Sequence, residues 1–157
     1  MAGWRAMTVA DLPAVATISA KVHGSYAEDE AVYAERLALW PQGCFVWDMA
    51  GDVQGLLVTH PWRGGSPPAL GAMLGNIPAD ADTLYLHDLA LLPETRGQGA
   101  GGAATGLVMA LAAKLGFPDV TLVAVNGAEQ FWQRQGFSVE AGGGYGSGTY
   151  LMRRRVG

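Results

Sequence analysis

The run "LPETRGQGAGGAATG" at residues 92–106 of this 157-residue chain combines small residues with a single arginine. Its residue types indicate a definite chemistry. Glycine lets backbone N–H groups come within hydrogen-bonding distance of an anion, and a helix start adds about half a positive charge. Arg96 adds a full charge. Because a strand-like segment precedes the run and a helical one follows it, the pattern predicts a phosphate or diphosphate site. A tight turn that only allows close helix packing is the alternative.

Two nucleotide-binding patterns fit this run less well. The spacing Gly97-x-Gly99-x-x-Gly102 matches the dinucleotide pattern, but that fold carries it after its first strand, with an acidic residue about 20 positions later. Here three predicted strands precede the one that leads into the run, and the strand after the run ends in "VAVNG" without an acid. The Walker phosphate loop also fails, because no Lys-Ser or Lys-Thr pair follows the last glycine. A nucleotide-dependent oxidoreductase is therefore a disfavoured alternative.

Acid–base chemistry is indicated in "TLYLHDLALL", the segment just before the glycine run. Strand alternation is expected to place Tyr85, His87 and Leu89 on one face and Asp88 on the other. The ordinary pKa of histidine suits a base at neutral pH, which makes His87 a candidate for that role. A structural histidine that donates to a backbone carbonyl is the alternative, and the residues alone leave both open.

The predicted elements that position these residues are one strand, two helices, three strands, a helix, a strand, a short helix and two strands. A strand at residues 4–7 leads to a helix that Thr8 caps and Gly24 ends. A second helix is expected at residues 28–39, and strands at 44–49 and 53–60 form a hairpin. The glycine run opens a helix at residues 99–115 between two buried strands, which predicts that these strands are parallel neighbours. Residues 1–157 are predicted to form a single domain.

The spacing Arg96-x-x-Gly99-x-Gly101 resembles the Gln/Arg-x-x-Gly-x-Gly/Ala acyl-CoA signature of the GCN5-related N-acetyltransferases, the GNAT superfamily. The blocks "LALLPET" and "FWQRQGF" are similar to that family's "aV-x-P-x-x-R-G-x-G" and "aromatic-x-x-x-G-F" blocks, and the predicted element order is that of a GNAT domain. The resemblance implies an α/β (α+β) fold of the GNAT acyl-CoA N-acyltransferase type. Its sheet would be mixed, mostly antiparallel and of about seven strands, with a central parallel pair splayed apart and about four helices.

The resemblance also implies acetyl-CoA as co-substrate. The diphosphate of CoA would be held, largely by main-chain N–H groups, at Arg96, Gly97, Gln98, Gly99, Ala100, Gly101 and Gly102. The pantetheine arm would pair with the preceding strand at Leu89, Ala90 and Leu91, where a main-chain N–H, assigned to Leu91, also polarises the thioester carbonyl. Asn126 is expected to contact the cofactor arm, with a helix N-cap as the alternative.

Candidate catalytic residues follow from the same resemblance. The segment "LHDLAL" is similar to "LHxLAV" of the serotonin N-acetyltransferases, in which a histidine at the place of His87 serves as base. Trp132 stands where the family has a tyrosine that protonates the departing thiolate, and an indole N–H is not a useful acid. Trp132 is therefore expected only to contact the cofactor. Tyr145, in "GGGYGSG", is the candidate for a hydroxyl that replaces the tyrosine, whereas Tyr150 is expected to pack.

The acceptor is expected beside the first two helices and the loops next to the glycine run. The candidates for substrate contact are Tyr26, His60, Tyr85 and His87. The acidic residues in "HGSYAEDE" (Glu28, Asp29 and Glu30) either receive a cationic amine or complement the dipole of the helix start. The dipole is the interpretation that we favour.

Composition limits the partners. The net charge is −4 and the one basic run is at residues 153–155, which argues against nucleic acid as a main partner. Cys44 is the one cysteine, in a pattern that favours packing over reactivity. The first residues lack the basic-then-apolar pattern expected of a secretory signal, and the longest uncharged run is shorter than the about 20 apolar residues of a membrane span. A cytoplasmic protein without a membrane partner or a metal site is expected.

These observations predict an acetyl-CoA-dependent N-acetyltransferase, an acyltransferase that moves an acetyl group to a primary amine of a small molecule such as an amino acid, a polyamine or a drug. Transfer would be direct, in a ternary complex. A non-catalytic acyl-CoA-binding sensor and an acetyltransferase of protein N-termini or lysines are the alternatives. A homodimer is a further expectation for a chain with 23 glycines, although the pattern indicates no interface.

Overall fold

The computed structural model describes residues 2–157, in which seven strands form one sheet. The strands are β1 (Ala2–Ala6), β2 (Cys44–Met49), β3 (Asp52–Trp62), β4 (Thr83–Leu91), β5 (Asp119–Ala124), β6 (Ser138–Gly142) and β7 (Tyr150–Arg155). Their order across the sheet is β1-β2-β3-β4-β5-β7-β6. Among the strand pairs of residues 2–157, β4 and β5 are the parallel one. The predicted mixed, mostly antiparallel sheet with a central parallel pair is confirmed.

Four α-helices cover the two faces of this sheet. They are α1 (Leu12–His23), α2 (Glu30–Leu39), α3 (Ala100–Leu115) and α4 (Glu129–Arg134). Leu56 and Val58 of β3 pack in a core with α1 and α2, whereas Leu57 between them packs in a second core with α3 and α4. Successive strand residues point to opposite faces, so one strand supplies both cores.

The predicted cap at Thr8 is present, but it caps a short 3₁₀ turn and not α1 itself. Thr8 precedes a single 3₁₀ turn (Val9–Asp11), and α1 begins after it. The carboxylate of Asp11 accepts the N–H of Thr8 at 2.8 Å, which uses a donor that would otherwise be unpaired at this end. Pro13 lies in the first turn of α1, where a helix does not need the N–H that proline lacks.

The strands β4 and β5 separate soon after they begin to pair. Their register joins Leu84 to Val120, Tyr85 to Thr121 and Leu86 to Leu122. Both strands then continue, β4 to Leu91 and β5 to Ala124, without further pairing to each other. A fork therefore opens in the middle of the sheet at the C-terminal ends of both strands, as the splayed pair predicted.

A β-bulge in β4 changes the direction of its side chains. Val58 is opposite Asp88 and Thr59 is opposite Leu86, so His87 is an extra residue on this strand. The bulge overturns the predicted alternation, in which His87 and Asp88 face opposite sides. Both residues line the same cavity at the fork.

The basic run at residues 153–155 lies within β7. Arg153 donates to Asp119 at 2.5 Å and to Glu140 at 2.8 Å, and Arg154 donates to the carbonyl of Gln135 at 2.8 Å. Two of its three arginines therefore hold neighbouring elements together.

Candidate active site

The edge of β4 that faces the fork has main-chain groups without a strand partner. The N–H of Leu92 donates to the carbonyl of Gln54 on β3 at 2.9 Å. In an antiparallel pair, successive N–H groups point alternately toward the partner strand and away from it. The N–H of Ala90 therefore points to β3, which corrects its predicted contact with pantetheine. The N–H groups of Leu89 and Leu91 point into the fork, where β5 no longer pairs.

The glycine run begins as a turn that uses some of its own donors. The N–H of Arg96 donates to the carbonyl of Pro93 at 3.1 Å, and that of Gln98 donates to the carbonyl of Thr95 at 3.0 Å. These two main-chain groups are therefore not available to the CoA diphosphate, contrary to the prediction for them. The side chain of Arg96 is exposed beside the turn.

The start of α3 supplies the donors that the turn does not. Gly97 and Gly99 have φ values of 80° and 72°, a backbone conformation that favours glycine, and Gly99 is the N-cap of α3. A helix start leaves its first N–H groups without intrahelical partners. Here those groups belong to Gly99, Ala100, Gly101 and Gly102, all of which the sequence predicted as diphosphate contacts.

Gly101 also permits close packing. A Cβ atom at this position would lie 3.0 Å from Cζ of Phe131 on α4. The two interpretations of the glycine run are therefore compatible, because the same helix start is both open to an anion and tightly packed.

A cavity of about 270 Å³ lies at the fork, between β4, β5 and the C-terminal end of α1. Its polar lining consists of His23, Tyr26, Glu28, Tyr85, His87, Asp88, Asn126 and Tyr145. Leu89 and Trp132 contribute to its apolar wall. A second depression, beside Lys21, Leu91 and Glu94, lies next to it.

Two histidine–carboxylate pairs stand in the cavity wall. His87 Nε2 lies 2.7 Å from Glu28 Oε1, and His23 Nε2 lies 2.5 Å from Asp88 Oδ1. None of the four side chains is more than 14% exposed. The hydroxyl of Tyr33 donates to the second oxygen of Asp88 at 2.5 Å. The cavity therefore contains two imidazoles that are oriented by buried carboxylates.

The carboxylates of these pairs are held in their charged form. Burial raises the pKa of Asp88, but the hydrogen bond and charge of His23 outweigh burial and leave that pKa below its ordinary value. Burial likewise raises the pKa of Glu28, which the hydrogen bond from His87 brings below its ordinary value. For His23, burial lowers the pKa and Asp88 raises it by more, so that the net shift is upward.

His87 and His60 are both buried, but their ring nitrogens have different hydrogen-bond partners. His87 Nδ1 is enclosed and has no hydrogen-bond partner within residues 2–157. His60 does not line the cavity, which corrects its predicted contact with the acceptor: it is fully buried behind His87, with ring centroids 5.9 Å apart. His60 Nδ1 lies 3.0 Å from the carbonyl of Pro61, and burial lowers the pKa of His60 to about 3. His60 is therefore a neutral ring in the core.

Residues 63–82, the long loop between β3 and β4, form a roof that is tied to α2 and to the segment before it. The N–H of Gly71 donates to Glu28 at 2.8 Å, and the N–H groups of Leu74 and Gly75 donate to Glu35 at 2.6 and 3.0 Å. The dipole interpretation is therefore wrong for Glu28, because α2 begins at Glu30 and the Glu28 carboxylate is bound to His87 and the roof.

Tyr145, in the loop between β6 and β7, also contacts the roof. Its hydroxyl donates to the carbonyl of Pro68 at 2.8 Å, and burial raises its pKa. Trp132, in the expected tyrosine position, is 6% exposed and packs against Phe131 and Phe137, with ring centroids 4.9 and 5.3 Å away. The hydroxyl of Tyr145 is thus near the cavity, but its proton is engaged.

Asn126 connects β5 to α1 across the fork. Its Nδ2 donates to the carbonyl of His23 at 3.2 Å, and its φ is 56°. The N-cap of α4 is Ala128, so the alternative role as N-cap is wrong. Asn126 lines the cavity, and its contact with the cofactor arm stays a prediction.

The pairing of His23 with Asp88 and of His87 with Glu28 was not predicted from the sequence. The partners are 65 and 59 residues apart in the chain. No local spacing encodes such pairs. The available signal was compositional, since one buried-strand segment has adjacent His and Asp and the loop "HGSYAEDE" has His and acids.

The model of the acetyltransferase (GNAT) family matches residues 11–137 of the chain. The protein belongs to the GNAT family. The glycine run, the fork between β4 and β5 and the helix-start donors all lie within this match. No curated protein sequence matches the chain.

Solved structures share the GNAT fold along the whole chain. Ard1 from Thermoplasma volcanium is 20% identical, with a TM-score of 0.78 and coverage of 99% of this chain and 97% of that one. The loading GNATL domain of CurA from Lyngbya majuscula is 15% identical, with a TM-score of 0.81 and coverage of 99% and 98%. N-acetylglutamate synthase from Neisseria gonorrhoeae, complexed with coenzyme A and N-acetyl-glutamate, is 14% identical, with a TM-score of 0.72 and coverage of 100% and 35%. At these identities the likeness establishes the fold.

Metal-binding clusters and membrane-spanning helices are both missing from the described part of the chain. Within residues 2–157, no group of three His, Cys, Asp or Glu side chains is placed to hold a metal ion. None of the helices in that range has the length and apolar character needed to cross a membrane.

Proposed function

We propose that this GNAT protein transfers an acetyl group from acetyl-CoA to a primary amine of a small molecule, directly and in a ternary complex. The observation that carries the proposal is the fork, where the N–H groups of Leu89 and Leu91 point to a space that β5 has left. An extended pantetheine arm can pair with these groups as a strand would. The free N–H groups at the start of α3 can then bind the diphosphate.

The two N–H groups on β4 suit different parts of the donor. Leu89 lines the cavity that holds both histidines, whereas Leu91 lines the neighbouring depression beside Lys21. We therefore propose that the N–H of Leu89, and not that of Leu91, donates to the thioester carbonyl. The N–H of Leu91 would bind pantetheine. An N–H in this place stabilises the negative charge that develops on the carbonyl oxygen as the amine attacks.

A small acceptor is favoured by the roof. Residues 63–82 are held at Glu28, Glu35 and Tyr145, and Leu70 of this loop lines the cavity. A protein N-terminus or lysine would have to enter a space of about 270 Å³ that the roof partly covers. The departing CoA thiolate needs no dedicated acid, because a thiol with a pKa of about 8.5 is a tolerable leaving group.

Ligand-induced thermal stabilisation tests the cofactor. We expect acetyl-CoA and CoA to raise Tm, since a ligand at about 100 times its Kd adds about 2.7 kcal/mol to the free energy of unfolding. NAD and NADP are expected to leave Tm unchanged. Stabilisation by NAD without stabilisation by CoA would refute the proposal.

A panel of amines, with release of CoA thiol as the readout, tests the reaction. Amino acids, polyamines and aminated drugs are offered with acetyl-CoA, and peptides with free N-termini serve as the competing class. Binding of acetyl-CoA without thiol release for any amine would favour the second candidate, a non-catalytic acyl-CoA sensor. The specific observation behind that candidate is Trp132, which cannot protonate a thiolate, together with the engaged hydroxyl of Tyr145.

A further inference from the structure

His23 is the imidazole in the cavity that has a ring nitrogen to spare, and we propose that it is the general base that accepts the proton of the acceptor amine. This inference rests on the proposed N-acetyltransferase function. It differs from the sequence prediction, which gave the role to His87.

His23 and His87 differ in whether their second ring nitrogen is accessible from the cavity. His23 lines the cavity, its Nε2 is bound to Asp88, and its Nδ1 has no partner within residues 2–157 and is not enclosed. His87 has its Nε2 bound to Glu28 and its Nδ1 shut away from solvent. A base must reach the proton that it removes, directly or through one water. His23 Nδ1 meets this requirement, and neither nitrogen of His87 does.

Both carboxylate oxygens of Asp88, the partner of His23, are hydrogen-bonded. Asp88 Oδ1 pairs with His23, and Asp88 Oδ2 accepts the proton of Tyr33 at 2.5 Å. The oxygen of Tyr33 lies 2.8 Å from the hydroxyl of Ser19, and both residues are fully buried. An immobile carboxylate at Nε2 keeps the Nε2–H tautomer, which leaves the lone pair of neutral His23 on Nδ1.

The position of His23 in the fold places it between donor and acceptor. It is the last residue of α1, where the helix dipole favours a positive charge. Asn126, at the end of β5, holds the carbonyl of His23 at 3.2 Å across the fork. Leu89, whose N–H is assigned to the thioester, lines the same cavity. The base and the N–H that polarises the thioester carbonyl therefore belong to residues that line the same cavity.

The chemical step balances without another reactant. The acceptor enters as R–NH₃⁺ and loses one proton to His23 Nδ1, which gives R–NH₂ and an imidazolium paired with Asp88. The amine nitrogen forms a bond to the thioester carbon, and the carbon–sulfur bond breaks. The CoA thiolate takes a proton from the nitrogen of the product, directly or through water, and His23 returns its proton to solvent.

Several charged or titratable groups surround His23. Asp88 of β4 pairs with His23, and Tyr33 of α2 binds the other oxygen of Asp88. Tyr26, Glu28, His87 and Tyr145 line the same cavity, and Lys21 precedes His23 on α1. Since burial lowers the pKa of His23 and Asp88 raises it by more, the imidazole loses its proton above its ordinary value. The rate of transfer should therefore rise with pH through that range and level off above it.

The test compares His23→Gln with the matched variant His87→Gln in the full chain. We expect His23→Gln to lower kcat for the amine at neutral pH by about 100-fold or more, to remove the acid limb of the pH profile and to leave the Kd of acetyl-CoA unchanged. His87→Gln should retain the limb and lose less than about tenfold. Added imidazole should restore part of the rate of His23→Ala, which a purely structural role would not allow.

Two outcomes overturn the inference in distinguishable ways. An active wild-type protein whose His23→Gln variant keeps both rate and acid limb, or whose His87→Gln variant loses them, rejects His23 as the base and leaves the proposed function standing. A wild-type protein that binds acetyl-CoA but acetylates no amine rejects the proposed function and the base with it. Should His23→Gln fail to fold, imidazole rescue of His23→Ala and the pH profile of His87→Gln decide the question.

Discussion

Asp88 makes two of the polar contacts around the cavity. It binds His23 with one carboxylate oxygen and accepts the proton of Tyr33 with the other. Burial and the charge of Asp88 raise the pKa of Tyr33 above its ordinary value, so that the phenol keeps its proton and continues to donate. The carboxylate is thereby held in one orientation, which in turn orients His23.

The variant Asp88→Asn tests whether Asp88 sets the pKa and the orientation of His23. Removing the negative charge leaves burial as the main influence on His23, so its pKa should fall and the acid limb of kcat/KM should move to lower pH. We also expect the plateau rate to drop by about tenfold, because the amide can bind His23 in the wrong tautomer. A pH–rate profile with its limb unmoved would contradict this prediction, and an unchanged Kd for acetyl-CoA is the control for folding.

Tyr145 is expected to hold the roof and not to act as an acid. Its hydroxyl proton is donated to Pro68, and such a bond contributes about 0.5–1.5 kcal/mol. Tyr145→Phe should therefore raise KM for the amine by about two- to tenfold and leave kcat nearly unchanged. Steady-state kinetics would contradict this if kcat fell while KM stayed constant, because that result indicates proton transfer by the phenol.

Among the elements, the first turn of α3 has to meet two structural requirements. Its first turn must expose N–H groups to an anion, and its small side chains must allow contact with the sheet and with α4. Gly99 serves the first demand through its φ of 72°, and Gly101 serves the second beside Phe131. Gly106, in contrast, is exposed and has ordinary helical φ, and a Cβ added there would have no atom within 4 Å.

Gly99→Ala and Gly106→Ala form a matched pair that tests these roles. An L-residue in the left-handed conformation costs about 1–2 kcal/mol, so Gly99→Ala should lower the free energy of unfolding and weaken CoA binding. Gly106→Ala should raise the free energy of unfolding by about 0.5–1 kcal/mol, since alanine is the better helix former. Denaturant unfolding and calorimetric titration with CoA measure both. A Gly99→Ala variant as stable as Gly106→Ala would disagree with the observed backbone.

At the scale of the whole molecule, the roof depends on long-range polar contacts with α2. Glu35 accepts the N–H groups of Leu74 and Gly75 and binds the buried Arg36 at 2.8 Å. Burial raises the pKa of Glu35, but the two N–H groups and Arg36 bring it below its ordinary value. The stabilisation is therefore present above the unfolded pKa and is lost as the pH falls through the folded one.

Glu35→Gln should loosen the roof. Arg36 is 1% exposed and would lose its charged partner. Because the side chain of Glu35 is 15% exposed, we expect a cost below the about 3–5 kcal/mol of a fully buried pair. We expect a lower Tm and faster proteolysis within residues 63–82, with the difference in Tm disappearing in acid. Glu30→Gln, an exposed residue in the first turn of α2, is the control. Equal proteolysis of the two variants would show that Glu35 does not anchor the loop.

The predicted homodimer and the cytoplasmic location stay predictions. Sedimentation velocity checks the first, and the outer edge of β6 is the place to examine, because all five of its residues are exposed. Cys44 is fully buried and its pKa is raised by burial to about 12, which makes it an unreactive thiol, as its pattern predicted.

Local patterns were sufficient for much of this protein. Apolar periodicity and glycine positions predicted the order of elements, the parallel pair and the start of α3, because each depends on residues close in the chain. The spacing of Arg96, Gly99 and Gly101 was sufficient to indicate the family. Predictions that depended on strict strand alternation failed at His87, since a single extra residue in β4 reverses the faces that follow.

The arrangement of the polar groups in the cavity required the folded chain. His23 meets Asp88 and His87 meets Glu28 across 65 and 59 residues. His60, which was predicted to contact the acceptor, is fully buried. A sequence shows which residues are able to act as bases. Which ring nitrogen stays open depends on burial and on partners that the packing of α1, α2 and β4 brings together, and this is why the base is inferred to be His23.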